Sequence, residues 1–255
     1  MKTFIFCGAL MFAAALILTG CEDDNAVEPY EPLPQVAFVY QPETNYNTPL
    51  QFETMLESHG YITTLVEMDS IVTTDFTLFD LTIIDSKIGS GDNWGASSQV
   101  TRIMSANKPI LGIGFGGARF FGENLLAIGW DNGEPFLDTT STSFLNTDVS
   151  VDDIKIHLTD TLFYLPNAIT RTNDSIIEVY NYTGTIVIEP PSPAPDSMKY
   201  YGRQPNYSNR YAILQEGPRY LLWGFTNGPN AMTTTGQSLF LNVVDRLVNL
   251  EEVTE

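Results

Sequence analysis

The stretch Lys108 to Phe121, KPILGIGFGGARFF, limits what this chain can fold into more than any other. An apolar run, PILGI, breaks into glycines and then resumes with helical spacing, which predicts a strand, a tight turn and a helix. In α/β folds such a turn lifts one side chain, or a row of backbone N–H groups, above the carboxyl edge of the sheet, where sites form. The residue at the tip is Gly114. Gly112, Ile113, Gly114, Phe115 and Gly116 stand where a nucleophile elbow would read G-x-Ser-x-G or G-x-Cys-x-G, so the turn is kept and the nucleophile is not. Gly112, Gly114 and Gly117 also match the dinucleotide pattern G-x-G-x-x-G, with Asp131 downstream. That pattern belongs in the first strand–helix turn of its fold, and this would be the fourth strand, so no nicotinamide or other cofactor is expected.

The flanking sequence predicts the elements around that turn. Gln35 to Tyr40 suits a buried strand, and Leu50 to His59 carries Leu50, Phe52, Met55 and Leu56 at helical spacing before Gly60. Tyr61 to Met68 and Leu81 to Asp85 are further strands, Trp94 to Ala106 contains a helix, Ile110 to Ile113 is the next strand and Phe115 to Ile128 the next helix. Strands alternating with helices imply a three-layer αβα architecture, a doubly wound and mostly parallel sheet. Beyond Trp130 the runs IKIHL, SIIEVY and TIVIEP are short and β-like, so residues 131–209 are expected to be a β-rich insertion without a helix. The prolines of residues 189–196 mark a loop, and the aromatic, polar stretch up to Asn209 is expected to be irregular surface. Tyr211 to Gln215 and Arg219 to Phe225 predict a hairpin about Glu216-Gly217-Pro218, and Gly236 to Leu250 a closing amphipathic helix. Residues 35–255 thus form one domain.

Ahead of it, Lys2 is followed by a greasy segment from Phe4 to Leu18 and then by Leu18-Thr19-Gly20-Cys21. This predicts a lipoprotein signal peptide over residues 1–20, with Cys21 as the lipidated residue, because the tetrapeptide resembles a bacterial lipobox. A membrane-spanning anchor would need roughly 20 apolar residues, and this run is shorter. Two or three acyl chains hold a protein stably on a membrane without any crossing segment. Residues 21–34, acidic and Pro-rich, read as a tether. Acidic residues directly after the lipidated Cys resemble a surface-export signal, so the expected location is the cell envelope, as an outer-membrane lipoprotein displayed at the surface.

Of the two cysteines, Cys7 falls in the signal segment and Cys21 is the acylated one, which leaves the domain without a thiol. Disulfides, thiolate nucleophiles and Cys-based metal sites are thereby excluded, and two histidines, His59 and His157, cannot build a His-rich centre; carboxylate sites for a hard cation stay open, but no metal is expected. A net charge of -19 argues against nucleic acid and against anionic lipid surfaces.

VAFVY with LESHGY, the strand end LTIIDS, the turn KPILGIGFGG, and YLLWGF followed by GQSLFLNVVDRL together resemble the class I glutamine amidotransferase-like family over most of residues 36–250. The resemblance implies a Cys on the turn after the central strand, an oxyanion hole from its backbone N–H and a glycine-rich loop after the preceding strand, and a His after a late strand. Here Gly114 occupies the Cys position, Gly89 to Gly91 the second oxyanion donor, and Asn227 stands near the expected His. With nucleophile and base both missing, glutamine hydrolysis by the family route is not expected.

In a doubly wound sheet the loops after four strands converge on one crevice, here expected to hold Gln41, Glu43, Asp85, Ser86, Lys87, Gly89, Trp94, Gly114, Phe115 and Asn227. The mixture suits a neutral polar ligand such as a sugar or peptide, although each residue taken alone is better explained by turns and caps. The reading is a non-catalytic, lipid-anchored binding or assembly component whose partner is a glycan, a peptide or an envelope protein. Its rival is a glycan hydrolase using Glu43 or Asp85. His59 ahead of Gly60 reads as a helix-end residue, and the tyrosines around Trp223 read chiefly as packing.

Overall fold

The structure, a computed structural model, describes residues 32–42, 47–90, 93–130, 134–138, 143–145, 176–181, 184–203 and 209–250. Cys21, Glu43, Asp131, His157 and the long middle of the insertion lie outside the described residues.

Strand β1 (Gln35–Tyr40) sets the plan. Val36, Phe38 and Tyr40 enter one apolar layer and Ala37 and Val39 the opposite one, all buried, which is why the run is apolar without alternation. Beside it lie β2 (Ile62–Glu67), β3 (Leu81–Ile84), β4 (Ile110–Ile113) and β11 (Tyr220–Trp223), in the order β2-β1-β3-β4-β11 and parallel throughout. This is the doubly wound order with a switch point between β1 and β3. From β11 the sheet continues antiparallel through β10 (Tyr211–Glu216) to β9 (Met198–Arg203), β6 (Ser143–Leu145) and β7 (Ile176–Glu178). A branch of β8 (Thr185–Glu189) and β5 (Glu134–Asp138) leaves from β10. The predicted hairpin and β-rich insertion are therefore one antiparallel extension of the parallel half.

One face is covered by α1 (Asn47–Ser58) and α4 (Thr234–Val248). Phe38 stacks on Phe52 at 5.1 Å, Phe52 meets Phe240 at 5.2 Å, and Trp223 meets Phe240 edge-on at 5.4 Å. Each such ring pair stabilises by about 0.5–1.5 kcal/mol beyond its buried area. The indole Nε1 of Trp223 donates to the Tyr180 hydroxyl at 3.0 Å, so the ring's polar atom is satisfied inside the core. Asp245 of α4 accepts from the Tyr61 hydroxyl and lies 3.2 Å from His59 Nε2, which gives His59 its structural partner.

The other face is covered by α2 (Ser97–Met104), α3 (Gly114–Glu123) and two short 3₁₀ turns, Met68–Thr73 and Phe76–Leu78, that bury Ile71 and Phe76 where a longer helix would stand. Trp94 packs edge-on to Phe120 at 4.8 Å.

Three element boundaries differ from the sequence expectation. Helix α1 starts at Asn47, since Pro49 sits in the first turn, where its missing N–H costs nothing. Helix α3 stops at Glu123, because Leu125 turns left-handed (φ 57°) and the N–H groups of Leu125 and Leu126 close back on Gly122 and Phe121. Met198–Arg203, expected to be irregular, is strand β9: it pairs with β10, and the hydroxyl of buried Tyr201 donates to Gln215 Oε1 at 2.7 Å.

Candidate functional site

Strands β1, β3, β4 and β11 run parallel, so Gln41, Asp85, Gly114 and Thr226 emerge on one edge of the sheet. Gly114 follows β4 with φ +48°, a left-handed conformation that favours glycine. The elbow backbone expected from the sequence is present. Its outer space is not: a Cβ at Gly114 would lie 2.9 Å from Ser86 Cβ, 2.9 Å from Thr226 Cγ2 and 3.2 Å from Thr226 Cα. Ser86 is held there by donating through Oγ to the Thr226 carbonyl at 2.9 Å. Thr226 in turn donates through its N–H and Oγ1 to the Gly184 carbonyl, each at 2.9 Å, which ties the position to the chain just before β8.

The neighbouring glycines serve close packing. A Cβ at Gly112 would meet Gly117 Cα at 2.7 Å, so this pair lets α3 rest on β4. A Cβ at Gly116 would fall 1.9 Å from the Asp85 carbonyl oxygen, and the Gly116 N–H donates to the Ser86 carbonyl at 2.8 Å. The Gly89 N–H points to Gln41 Oε1 at 3.4 Å. Two backbone donors beside the elbow are thus directed at protein oxygens.

Asp85 is 2% exposed, and its Oδ1 accepts from the Ser86 N–H at 2.7 Å. Burial pushes its carboxyl up to about 6, against the pull of the Ser86 hydrogen bond and the positive charge of Lys87. This carboxyl is held inside the edge and not on its surface.

The remaining expected residues divide between two depressions. Gln41, Gly89 and Trp94 line one of about 410 Å³ beside Asp69 and Gln99. Asn227 lines another of about 340 Å³ with Thr48, Gln51, Lys87, Thr226 and Asn230. Phe115 lines neither. Its ring lies 5.8 Å from Trp130, and the Arg119 guanidinium sits 5.4 Å from it while donating to the Ile88 carbonyl at 3.1 Å. Asp85, Ser86 and Gly114 form the buried partition at the elbow. Sequence reasoning missed Thr226, which closes the elbow, and the α1 residues Thr48 and Gln51; the usable signal was that α1 begins next to the carboxyl end of β1. Among the described residues no three His, Cys, Asp or Glu stand together as a metal site, and no helix is long and apolar enough to cross a membrane.

No protein-family profile matches the chain, and no curated protein sequence matches it. Solved structures do. A candidate GMP synthase subunit from Thermoplasma acidophilum is similar at 13% identity and a TM-score of 0.52, over 86% of this chain and 96% of that one. A candidate ThuA-like protein from Parabacteroides merdae is similar at 11% identity and 0.49, over 88% and 93%. A glutamine amidotransferase from Thermotoga maritima is similar at 10% identity and 0.45, over 85% of each chain. The chain has a class I glutamine amidotransferase-like α/β fold. At these identities the likeness defines the fold alone.

Proposed function

We propose that this protein is a lipid-anchored binding or assembly component of the cell envelope, built on an amidotransferase-like domain that performs no glutamine hydrolysis. The observation that carries this reading is the filled elbow. A nucleophile at position 114 would need its Cβ where Ser86 Cβ and Thr226 Cγ2 already crowd, each 2.9 Å away, and the residue near the expected base is Asn227. Without a group to form the acyl intermediate and one to take its proton, the covalent route has no first step. Anchoring rests on the lipobox at Cys21 and the acidic tether behind it.

Turnover assays on the full chain with glutamine and with activated esters test the catalytic half of this reading. The expected result is no release of ammonia or alcohol above the buffer rate. Turnover that disappears in Ser86→Ala would overturn it.

The rival glycan hydrolase draws support from the raised pKa of Asp85, the signature of a general acid. Against it, that carboxyl is almost wholly buried and already accepts the Ser86 N–H. Glycan cleavage lost in Asp85→Asn would establish the rival.

A further inference from the structure

We infer that the Lys87–Asn227 cleft and the groove along α1 form one continuous seat for an acidic oligosaccharide, with Lys87 taking a carboxylate of the sugar chain. This deepens the proposed binding role and rests on it. The cleft of about 340 Å³ adjoins a groove of about 550 Å³ through two shared wall residues, Gln51 and Asn230. Where the two meet, the Asn230 N–H donates to Gln51 Oε1 at 3.4 Å, so the seat passes this contact on its way from the carboxyl edge of the sheet along α1, a course that suits a chain ligand.

Its chemistry is unusual for this protein. The chain carries 31 Asp and Glu against 12 Lys and Arg, yet neither cleft nor groove has an acidic residue among those lining it, and Lys87 is the one charged residue there among the described residues. Asp85 feels the Lys87 charge without forming an ion pair with it, and at 2% exposure it offers nothing to a ligand. Among the described residues this ammonium thus stands in a lining without carboxylates on a strongly negative molecule, and it is the group there that can take an anion through a charge-assisted hydrogen bond.

The remaining wall decides what kind of anion. It is made of side-chain amides and hydroxyls, Asn47, Gln51, Thr54, Ser58, Asn227 and Gln237 among them. Thr54 and Ser58 donate to the Leu50 and Met55 carbonyls, Gln51 Oε1 accepts from the Asn230 N–H at 3.4 Å, and Gln237 Nε2 donates to the Pro229 carbonyl at 3.1 Å, which leaves hydroxyl lone pairs, the Gln51 amino group and the Gln237 amide oxygen to meet sugar hydroxyls. Leu50, Met55 and Pro229 add small apolar surfaces for the CH faces of sugar rings. A bound peptide would call for a free sheet edge or a deep apolar anchor pocket, and this seat is bordered by a helix and a turn.

The test is isothermal titration of the full chain in detergent with oligogalacturonate, with maltohexaose as the neutral sugar and hexaglutamate as the charged peptide. Oligogalacturonate is expected to bind at least about tenfold more tightly than either, and to lose about tenfold or more in Lys87→Gln, the scale of one charge-assisted contact. Gln51→Ala, on the shared wall, is expected to weaken both sugars. Far-ultraviolet dichroism checks that both variants are folded. Equal binding of neutral and acidic sugar, tighter binding of hexaglutamate, no binding of oligogalacturonate, or an unchanged affinity in folded Lys87→Gln would each overturn the inference. Chromatography of the titrated sugar tests the non-catalytic proposal separately: cleavage products would sink that proposal while leaving the affinity comparison intact.

Discussion

Replacing Gly114 by Ala probes the filled elbow directly. The added Cβ meets two obstacles of different origin. The backbone is left-handed at φ +48°, which disfavours any residue with a Cβ by about 1–2 kcal/mol. The new atom would also sit 2.9 Å from Ser86 Cβ and from Thr226 Cγ2 and 3.2 Å from Thr226 Cα. None of these is the end of a long side chain that could swing aside, so overpacking adds about 1–3 kcal/mol. The expected loss is about 2–5 kcal/mol, a large share of a domain stability of about 5–15 kcal/mol. Urea unfolding measures it: at a slope of about 2–3 kcal/mol per molar the midpoint falls by about 0.7–2.5 M with the slope unchanged. The two contributions separate in a cycle with Thr226→Ser, which removes Cγ2 and retains the hydroxyl that bonds Gly184. In that background Gly114→Ala should cost about 1 kcal/mol less, the scale of coupling between touching residues. A loss below about 0.5 kcal/mol, or the same loss in both backgrounds, would refute the claim that the space beside Gly114 is occupied.

Three further outcomes follow from the same structure. Asp85, raised to about 6 by burial, binds its proton more tightly in the folded state; its contribution is full below about pH 4 and lost as pH climbs through about 6, so wild type should fall behind Asp85→Asn by about 3 kcal/mol at most between pH 4 and 7 in urea titrations. Parallel curves for the two proteins would contradict that burial effect. Asp245→Ala strands the hydroxyl of buried Tyr61 and removes the His59 partner, and should cost about 1–3 kcal/mol by thermal unfolding. Cys21→Ser should abolish incorporation of labelled palmitate and move the chain to the soluble fraction, and continued membrane retention would remove the lipid anchor from the proposal.

The parallel half of the fold was legible because its strands are covered on both faces. Val36–Tyr40, Leu81–Ile84 and Ile110–Ile113 are largely apolar runs, and the glycines after Ile113 announce the turn. Strand β9 was not, since MKYYGR looks polar until Tyr201 finds Gln215 across the sheet. The elbow itself could be placed from local sequence, but the atoms that fill it could not. Ser86 and Thr226 are 140 residues apart and meet through one hydrogen bond, and no periodicity in either neighbourhood marks them as partners. Lys87 and Asn227 share a cleft at the carboxyl edge, as loops after two parallel strands can, whereas Gln51 joins them from the side of α1, which neither loop's sequence announces.

Thr226 joins three distant segments: its carbonyl takes the Ser86 hydroxyl, its N–H and hydroxyl reach Gly184, and its methyl borders Gly114. A side chain at position 114 needs room held by residues that also anchor the strand beyond the sheet's parallel half. The corner works as a keystone: a change in any one of the three segments shifts the support of the other two.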